Sequence, residues 1–387
     1  MGSFVAGAAK ADITPTDLRH VYLAGFGNNR KATHVLDPLY VRCLYVSDDE
    51  REFALAVYDL IGLMTPEVVR LREAPGDPSP DHIWIACTHS HSGPDMLGLW
   101  GPTPVQGLPL LSGVDKRYFS FLTAETARVV RRAKRNARPA TVAFNVDRTP
   151  KDATTWNIRD RSIMDHELCV MHFAREGSGE AIATLTNFGA HPECLWERNT
   201  GISADYLAPF HATVERSLGG ISVFVNGALG GMVTPGIDDA ASLEARIPFC
   251  KRYGADLAEI ALRAVRDATN ATAPRLEFRH REFAVPLKND LLGFIRNFGV
   301  LDRPYADGCV QSCIGLGRLG PARFIGVPGE VLPEFGLALK KRFAGEPTFL
   351  LSVCNDELGY LLPAPYFDDD NYHYERSVSP VPAPRRS

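Results

Sequence analysis

The chain alternates short apolar runs with longer stretches in which apolar positions recur at helical spacing. Runs typical of strands cover residues 9–15, 39–46, 52–58, 82–87, 141–146, 167–173, 181–188, 221–225, 275–285, 322–327 and 348–354. Helical spacing covers a segment that begins near residue 65, and residues 115–136, 204–217, 240–269 and 333–343. This mixed order predicts an α/β fold, with a single large domain of mixed β-sheets flanked by helices.

Three local patterns refine this prediction. The runs 39–46 and 52–58 are separated by the polar turn Ser-Asp-Asp-Glu-Arg, which predicts a hairpin. Thr65 followed by Pro66 predicts a helix start, with Thr65 as N-cap and Pro66 as the first helical residue. The helix at 115–136 ends in a basic cluster, which suits the helix dipole and which we interpret as a solvated face.

Other segments give weaker signals. Residues 22–37 are predicted to form a loop, and residues 286–320 receive no assignment. The apolar, Pro- and Gly-rich loop 100–114 fits a substrate wall and a loop packed on the core equally well. The C-terminal residues are turn-like, so we predict a domain over 1–375 and a flexible tail over 376–387.

Composition and charge narrow the classes of partner. Apolar residues make up 45% and charged residues 23% of the chain, as in globular proteins. The net charge of -4 gives no electrostatic reason to expect nucleic acid as a partner. The sequence contains no run of 18 apolar residues, so no transmembrane helix is predicted. The oligomeric state is left open.

The cysteines and the first residues bear on location. The eight cysteines include no Cys-x-x-Cys, and several lie in apolar runs, so we interpret most as reduced and structural. A disulfide between Cys309 and Cys313 stays open. Residues 1–7 have neither a charged segment nor an apolar core of the kind that signal peptides carry. A cytoplasmic location is expected, with secretion left open.

A His-x-His pair follows the apolar run 82–87. His89 and His91, two residues apart on an extended segment, point to the same side. A Ser-Gly-Pro turn comes next, and this arrangement is a good start to a metal site. Two histidines in ordinary polar hydrogen bonds are an equally good explanation of this motif alone.

Polar residues also follow the other strong strands. They are His191, Pro192 and Glu193 after 181–188, Asn226 to Gly231 and then Thr234 after 221–225, Glu330 after 322–327, and Asn355, Asp356, Glu357 and Tyr360 after 348–354. In α/β sheets the carboxyl ends of strands form the binding crevice. Two or three histidines and a carboxylate at those ends suit the ligand shell of a catalytic zinc ion.

Each of these residues has an ordinary explanation when taken alone. Glu330 fits an acid favoured at a helix N-terminus, Tyr360 fits packing and His191 fits a loop histidine. We interpret the remaining candidates, His166, His172, His280 and His373, as structural or exposed. The joint occurrence at several strand ends is what favours a metal site.

The same segments, taken in chain order, resemble a known family. The residues are Ala-Gly-Ala-Ala-Lys-Ala-Asp-Ile-Thr-Pro at 6–15, Leu-Tyr-Val-Arg-Cys-Leu at 39–44, Asp-Leu-Ile-Gly at 59–62, Thr-His-Ser-His-Ser-Gly-Pro at 88–94, Asp-Arg-Thr-Pro at 147–150, Asn-Phe-Gly-Ala-His-Pro at 187–192 and Val-Pro-Gly-Glu at 327–330. The spacing from Asn355 to Tyr360 also matches. Together they resemble the catalytic domain of the neutral ceramidases (neutral/alkaline non-lysosomal ceramidases), which are zinc-dependent amide hydrolases.

The resemblance implies roles for particular residues. It implies one zinc ion per chain, with ligands at His89, His191, Glu330 and Tyr360. It implies that His91, Arg148, Tyr360 and Thr234 act in catalysis. Thr234 stands where the family has a functionally implicated Ser. We further predict that Arg148, Asn226, Gly230 and Asp205 contact the substrate, with the Gly-rich turn 227–231 allowing backbone N–H groups to approach it.

The sequence therefore predicts a zinc-dependent amidohydrolase that cleaves a carboxamide in a small-molecule or lipid-like substrate, as an enzyme of lipid and sphingolipid metabolism would. Two alternatives stay open: the same zinc site acting on an ester or lactone, and a metal-binding protein without catalysis. A serine hydrolase is disfavoured because the chain has no Gly-x-Ser-x-Gly elbow.

Overall fold

The computed structural model describes residues 4–103, 110–148, 155–231, 233–238, 240–272, 274–301 and 303–380. The strands are β1 (Val5–Asp12), β2 (His34–Val35), β3 (Tyr40–Ser47), β4 (Glu52–Tyr58), β5 (Ile83–Cys87), β6 (Arg138–Asp147), β7 (Thr155–Asn157), β8 (Leu168–Arg175), β9 (Ala181–Phe188), β10 (Gly201–Ile202), β11 (Ile221–Asn226), β12 (Val233–Pro235), β13 (Thr269–Asn270), β14 (Leu276–Pro286), β15 (Tyr305–Ala306), β16 (Cys309–Leu319), β17 (Ala322–Gly326), β18 (Glu330–Val331), β19 (Thr348–Leu351) and β20 (Tyr360–Leu361). The helices are α1 (Thr65–Glu73), α2 (Lys116–Arg135), α3 (Leu207–Leu218), α4 (Leu243–Arg266), α5 (Asp290–Asn297), α6 (Pro333–Arg342) and α7 (His373–Val378).

Two β-sheets form the centre of the fold. The larger has the strand order β11-β9-β8-β6-β1-β3-β4-β5, with β13 paired to β6. The smaller has the order β14-β16-β17-β19, with β15 paired to β16. Both sheets mix parallel and antiparallel pairs, since β4–β5, β9–β11 and β17–β19 run parallel. The predicted α/β class with mixed sheets is confirmed.

The alternation of side chains along the strands explains the layering. In β3, Leu44 and Val46 face one buried cluster, whereas Cys43 and Tyr45 face another. The first cluster also contains Phe324 and other residues of both sheets, so it is the core of a sheet-on-sheet sandwich. The second cluster holds apolar side chains of α1 to α4, so these helices cover the opposite face of the larger sheet.

Most predicted elements agree with the structure, with shifts of a few residues at their ends. The predicted hairpin is the antiparallel pair β3–β4. The predicted cap of α1 is wrong, because Met64 is the N-cap and Thr65 is already helical. No helix in the described part of the chain has the length and apolar character needed to cross a membrane.

The segment without an assignment, 286–320, contains α5 and the 11-residue strand β16. Gly315 and Gly317 interrupt the apolar pattern of β16, which hid the strand. Gly315 is needed because a Cβ there would lie 2.6–2.9 Å from ring atoms of the buried Trp84. The missing side chain lets β16 cross directly over that indole.

Gly315→Ala is expected to destabilise the protein by about 1–3 kcal/mol, because the added methyl group overlaps a ring that neighbouring side chains hold in place. The matched control is Gly293→Ala in α5, where a Cβ meets open space and about 0.5–1 kcal/mol of stabilisation is expected. Urea unfolding of both variants measures the difference. Equal stability of the two variants would show that β16 does not pack on Trp84 in this way.

Residues 376–380 of the predicted C-terminal tail contact the rest of the chain. The predicted start of the tail, residue 376, lies inside α7, and the Arg376 guanidinium donates to the Phe367 carbonyl at 2.6 Å. The Pro380 carbonyl accepts from the Lys288 amide at 3.1 Å. Residues 381–387, the rest of the predicted tail, lie outside the described residues.

Candidate metal centre

Three histidines from two loops meet at the end of the larger sheet. His89 and His91 follow β5, and His191 follows β9. One ring nitrogen from each lies within 4.8 Å of the others, and all three side chains are buried. The ring centroids are 5.0–5.5 Å apart. The structure therefore brings together three residues that the sequence placed at strand ends.

The backbone at His89 differs from the extended segment that the sequence predicted. His89 has φ of 68°, so the chain turns there instead of continuing the strand. The His89 and Ser90 amides both donate to the Leu60 carbonyl, which holds this turn against the end of β4. The two histidine rings converge because of the turn, not because of strand alternation.

Hydrogen bonds fix the tautomers of two of the histidines. His89 Nδ1 lies 2.7 Å from the Ile61 carbonyl, and His191 Nδ1 lies 3.0 Å from the Val233 carbonyl. A carbonyl only accepts, so each Nδ1 carries the proton and each neutral ring presents Nε2 as a lone pair. Backbone partners of this kind orient the histidines of metal sites.

Glu330 faces both of these Nε2 atoms. Its Oε2 lies 3.0 Å from His191 Nε2 and 3.6 Å from His89 Nε2. Without a metal this contact is a hydrogen bond from a protonated His191 Nε2 to the carboxylate, and a bound cation would take the place of that proton. A tetrahedral zinc ion with bonds of about 2.0–2.1 Å separates its ligand atoms by about 3.3 Å, between the two observed distances. These donors therefore fit a zinc ion.

The ionisation of the cluster suits a cation. Burial, and His191 nearby, outweigh the attraction of Glu330 and lower the pKa of His89 to about 4. Burial also lowers the pKa of His191, but Glu193 and Glu330 more than offset this, so the net pKa is raised. Burial raises the pKa of Glu330, and the two histidines reverse this shift. The Nε2 atoms of both histidines thus face a negative carboxylate, whose charge a bound cation would neutralise.

Tyr360 joins the site through a short two-stranded ladder. β18 and β20 pair in parallel, with Glu330 opposite Tyr360. The Tyr360 hydroxyl is hydrogen-bonded to the Glu330 carboxylate, and burial followed by Glu330 raises its pKa well above the usual range. The phenol therefore stays protonated and donates to the carboxylate.

His91 is held by packing. A Cβ on Gly25 would lie 2.4 Å from its ring, and Phe26 makes an edge contact at 5.0 Å. Neither ring nitrogen has a hydrogen-bond partner in the described part of the chain, although Nδ1 lies 3.5 Å from Glu193 Oε2. Burial and then His89 and His191 lower the pKa of His91, so the ring is neutral near pH 7.

Glu193 is a site residue for which sequence reasoning predicted no role. Its carboxylate is buried beside His91, and burial raises its pKa more than His191 and the neighbouring Thr234 hydroxyl lower it. The sequence signal was available, since Glu193 stands two residues after His191 at the same strand end. Thr234, predicted to act in catalysis, thus contacts the carboxylate next to His91.

The structure places the predicted substrate contacts elsewhere. Arg148 lies just after β6 with its side chain 63% exposed and paired with Glu167 at 3.0 Å. Gly230 packs against the backbone of Glu330, where a Cβ would come within 2.7 Å. Asp205 accepts three backbone amides, those of Cys194, Leu195 and Tyr206. Residues 149 and 150 of the predicted Asp-Arg-Thr-Pro motif lie outside the described residues.

Asn226 connects the two histidine loops. Its Nδ2 donates to the Thr88 carbonyl at 2.6 Å, and its Oδ1 accepts the Ala190 amide at 3.0 Å. These partners immediately precede His89 and His191. The fully buried amide therefore sets the spacing between the loops, although the sequence predicted a substrate contact.

Asn226→Ala is expected to weaken zinc binding by about 10- to 100-fold, because both histidine loops lose a shared anchor. A matched control is Asn187→Ala, which removes an equally buried amide bonded to Val225 and Leu350. Both variants lose folding stability, but only the first should lose zinc affinity, measured by competition with a chromophoric chelator. Equal affinities in the two variants would contradict this role.

A cavity of about 310 Å³ opens onto the histidines. His89, His91, Glu330 and Tyr360 line it. Its apolar walls include Ile61, Met64, Leu97, Trp100, Leu292 and Ile295. Trp100 belongs to the loop 100–114, which fits the substrate-wall interpretation for this residue. Residues 104–109 of that loop lie outside the described residues.

The helix α5 supplies part of this wall and was missed by sequence reasoning. Asn289 caps it, with Oδ1 accepting the Leu292 amide at 3.0 Å. Leu291, Leu292 and Ile295 follow at helical spacing and line the cavity. This cap and spacing were a usable signal in the sequence.

The fold is shared with solved ceramidase structures. The crystal structure of neutral ceramidase from Pseudomonas aeruginosa matches with a TM-score of 0.78 and 14% identity, over 97% of this chain and 71% of that chain. The structure titled "Ceramidase complexed with C2" matches with a TM-score of 0.76 and 14% identity, over 100% of this chain and 77% of that chain. No family model and no curated protein matches the sequence. The predicted ceramidase-like fold is confirmed.

Proposed function

We propose that this chain is a zinc-dependent hydrolase that cleaves a carboxamide bond of an N-acyl substrate with an apolar chain. The observation that carries the proposal is the approach of His191 Nε2 to Glu330 Oε2 at 3.0 Å, with two further histidines beside them. The likeness of the fold to ceramidases supports the reaction class. At 14% identity the likeness itself shows a shared fold, and the reaction class is carried over from those structures as part of the proposal.

The residues that would hold one zinc ion are His89, His191 and Glu330, with Tyr360 hydrogen-bonded to the carboxylate. When bound, zinc supplies Lewis-acid chemistry, which polarises an acyl carbonyl and brings the pKa of water to about 7. Tyr360 reduces the charge on Glu330 by donating to it. The carbonyls that accept from the two Nδ1 atoms keep both rings in one orientation.

His91 is the proposed proton carrier. Its ring is neutral near pH 7, lines the cavity, and has free nitrogen capacity among the described residues. It can therefore take a proton from water and return one to the leaving amine. Glu193, 3.5 Å from Nδ1, orients the ring and favours its charged form after proton transfer. We propose no role for Arg148 in the reaction, because its side chain is exposed and paired with Glu167.

The cavity supports an apolar chain as part of the substrate. Its walls are largely aliphatic and aromatic, with Asn28, Arg296, Arg303 and Glu357 as polar lining besides the histidine site. A linear acyl chain would bury its methylene groups along these walls at about 0.8 kcal/mol each. The carbonyl would then lie at the histidine end.

The test is turnover by the zinc-loaded protein on matched amide, ester and lactone substrates with acyl chains of graded length. We expect amide cleavage that rises with chain length, is lost with a chelator and returns with zinc. Cleavage of the ester and lactone alone would replace this proposal by an esterase or lactonase. Zinc binding without turnover of any member would point to a metal-binding protein without catalysis.

Glu193→Gln is expected to lower kcat by about 10- to 100-fold with KM and zinc content nearly unchanged, because the amide keeps the shape but not the charge beside His91. Steady-state kinetics on the best amide and elemental analysis measure these quantities. Glu176→Gln, at an exposed position after β8, is the control and should behave as wild type. An unaltered kcat in Glu193→Gln would remove this residue from the mechanism.

A further inference from the structure

A second buried cluster lies outside the histidine site. It consists of Cys194, Asp205 and Cys250, which come from the loop after β9, the turn before α3 and the first third of α4. One ligand atom from each residue lies within 4.8 Å of the others, and all three side chains are buried. The histidine mechanism uses none of these side chains.

The distances in this cluster suit a metal ion. The Cys250 thiol donates to Asp205 Oδ1, with 3.7 Å between Sγ and the oxygen. In a tetrahedral zinc site with bonds of about 2.3 Å to sulfur and about 2.0–2.2 Å to oxygen, such atoms lie about 3.6 Å apart. Two sulfur donors and one carboxylate favour a thiophilic divalent ion over calcium or magnesium, which take oxygen ligands.

Asp205 is a buried carboxylate whose partners leave room for a cation. Three backbone amides, those of Cys194, Leu195 and Tyr206, donate to it at 2.8–3.0 Å. A carboxylate has about four lone-pair positions, and the remaining one accepts the Cys250 thiol, whose proton a bound ion would replace. In the described ranges, no Lys, Arg or His pairs with it. A buried charge without a cationic partner is costly, and a bound cation would remove that cost.

An ion can reach the cluster from a neighbouring cavity and displace a thiol proton. Burial raises the pKa of the Cys194 thiol well above its usual range, so the ion must displace its proton. A separate cavity of about 450 Å³ is lined by Asp205 and Cys250 and provides access to the cluster. The cavity walls carry Asp37 and Glu215 as well as Lys10, Arg42 and Lys251, and Lys10 pairs with Glu215 at 2.5 Å, so together with Asp205 their charges balance.

We propose that Cys194, Asp205 and Cys250 bind one thiophilic divalent ion, such as Zn²⁺ or Cd²⁺, as a structural site. Cys194 lies three residues after His191 and directly after Glu193. The ion would join this loop to α4 and to the start of α3. It would therefore fix the loop that carries two residues of the histidine site, without taking part in the reaction.

The test is a titration of the metal-stripped, reduced full chain with Cd²⁺, followed by ultraviolet absorption. Thiolate ligation gives a sulfur-to-metal charge-transfer band, whereas histidine and carboxylate ligands do not. We expect the band in wild type and in His89→Ala/His191→Ala, where it should saturate at one ion per chain. Because that variant lacks the histidine site, the result does not depend on the proposed hydrolase.

The variant Cys194→Ser/Cys250→Ser should lose the band, and Cys309→Ser/Cys313→Ser should keep it. Should circular dichroism show that the first variant is unfolded, Cys194→Ala and Cys250→Ala are measured singly, and each should reduce the band because one thiolate is gone. Absence of the band in folded, reduced wild type would overturn the proposal. So would a band that survives removal of both cysteines.

Discussion

His191→Ala is expected to lose bound zinc and to lower kcat/KM on the best amide substrate by at least about 10³-fold. The variant removes the Nε2 atom that faces Glu330 at 3.0 Å and leaves that carboxylate with His89 as its remaining histidine partner. Lewis-acid catalysis is worth several kcal/mol, and each increment of about 1.36 kcal/mol is a factor of ten in rate. Elemental analysis and steady-state kinetics measure the two losses.

The control for this variant is His172→Ala on β8, where a half-buried ring bonds to the Thr184 hydroxyl at 3.0 Å. It removes an imidazole without touching the cluster, so zinc content and kcat/KM should stay near wild type. Retention of one zinc per chain by folded His191→Ala would refute the ligand assignment. Zinc loss with unchanged turnover would instead refute the role of zinc in the reaction.

Arg42→Met is expected to lower the free energy of unfolding by about 3–5 kcal/mol. Arg42 Nη1 donates to Asp59 Oδ2 at 2.7 Å, and both side chains are almost fully buried. Without the guanidinium, a carboxylate stays in the interior with the Tyr40 amide as its remaining donor in the described part of the chain. Removing one partner of a buried pair is far more costly than removing both. Urea unfolding with linear extrapolation measures the change.

The double variant Arg42→Met/Asp59→Asn separates loss of the pair from loss of packing. The new carboxamide is neutral and still accepts the Tyr40 amide, so the double variant should be more stable than Arg42→Met by about 2 kcal/mol. Arg275→Met, which breaks the exposed pair with Glu50 at 3.5 Å, should cost less than about 1 kcal/mol. A double variant no more stable than Arg42→Met would indicate that the buried charge is not the cause.

The sequence predicted the frame of the fold because burial leaves a periodic trace. The run before His89 is buried at every position of β5, and the side chains of β3 and β4 alternate between two cores. The strand β16 was not predicted, because Gly315 breaks its apolar pattern and is required by the contact with Trp84 instead. Such a contact joins residues far apart in the chain, so no local pattern can reveal it.

The candidate site also combines residues that the sequence predicted with contacts that it did not predict. His89, His191 and Glu330 were found because each follows an apolar strand, and strand ends converge. The backbone turn at His89 and the amide bridge through Asn226 depend on three-dimensional contacts, so the sequence could not predict them. Arg148 was assigned from a resemblance in its segment, but the side chain has a closer partner in Glu167.

The ligands of the histidine site come from both layers of the sandwich. His89 and His191 lie in loops that follow β5 and β9 of the larger sheet, whereas Glu330 begins β18, shortly after β17 of the smaller sheet. An ion bound by all three residues would cross-link the two layers, so metal binding and folding would be thermodynamically linked. At a free zinc concentration of about 100 times Kd, this linkage adds about 2.7 kcal/mol to stability. Any sliding of one layer against the other would then require a metal–ligand bond to break.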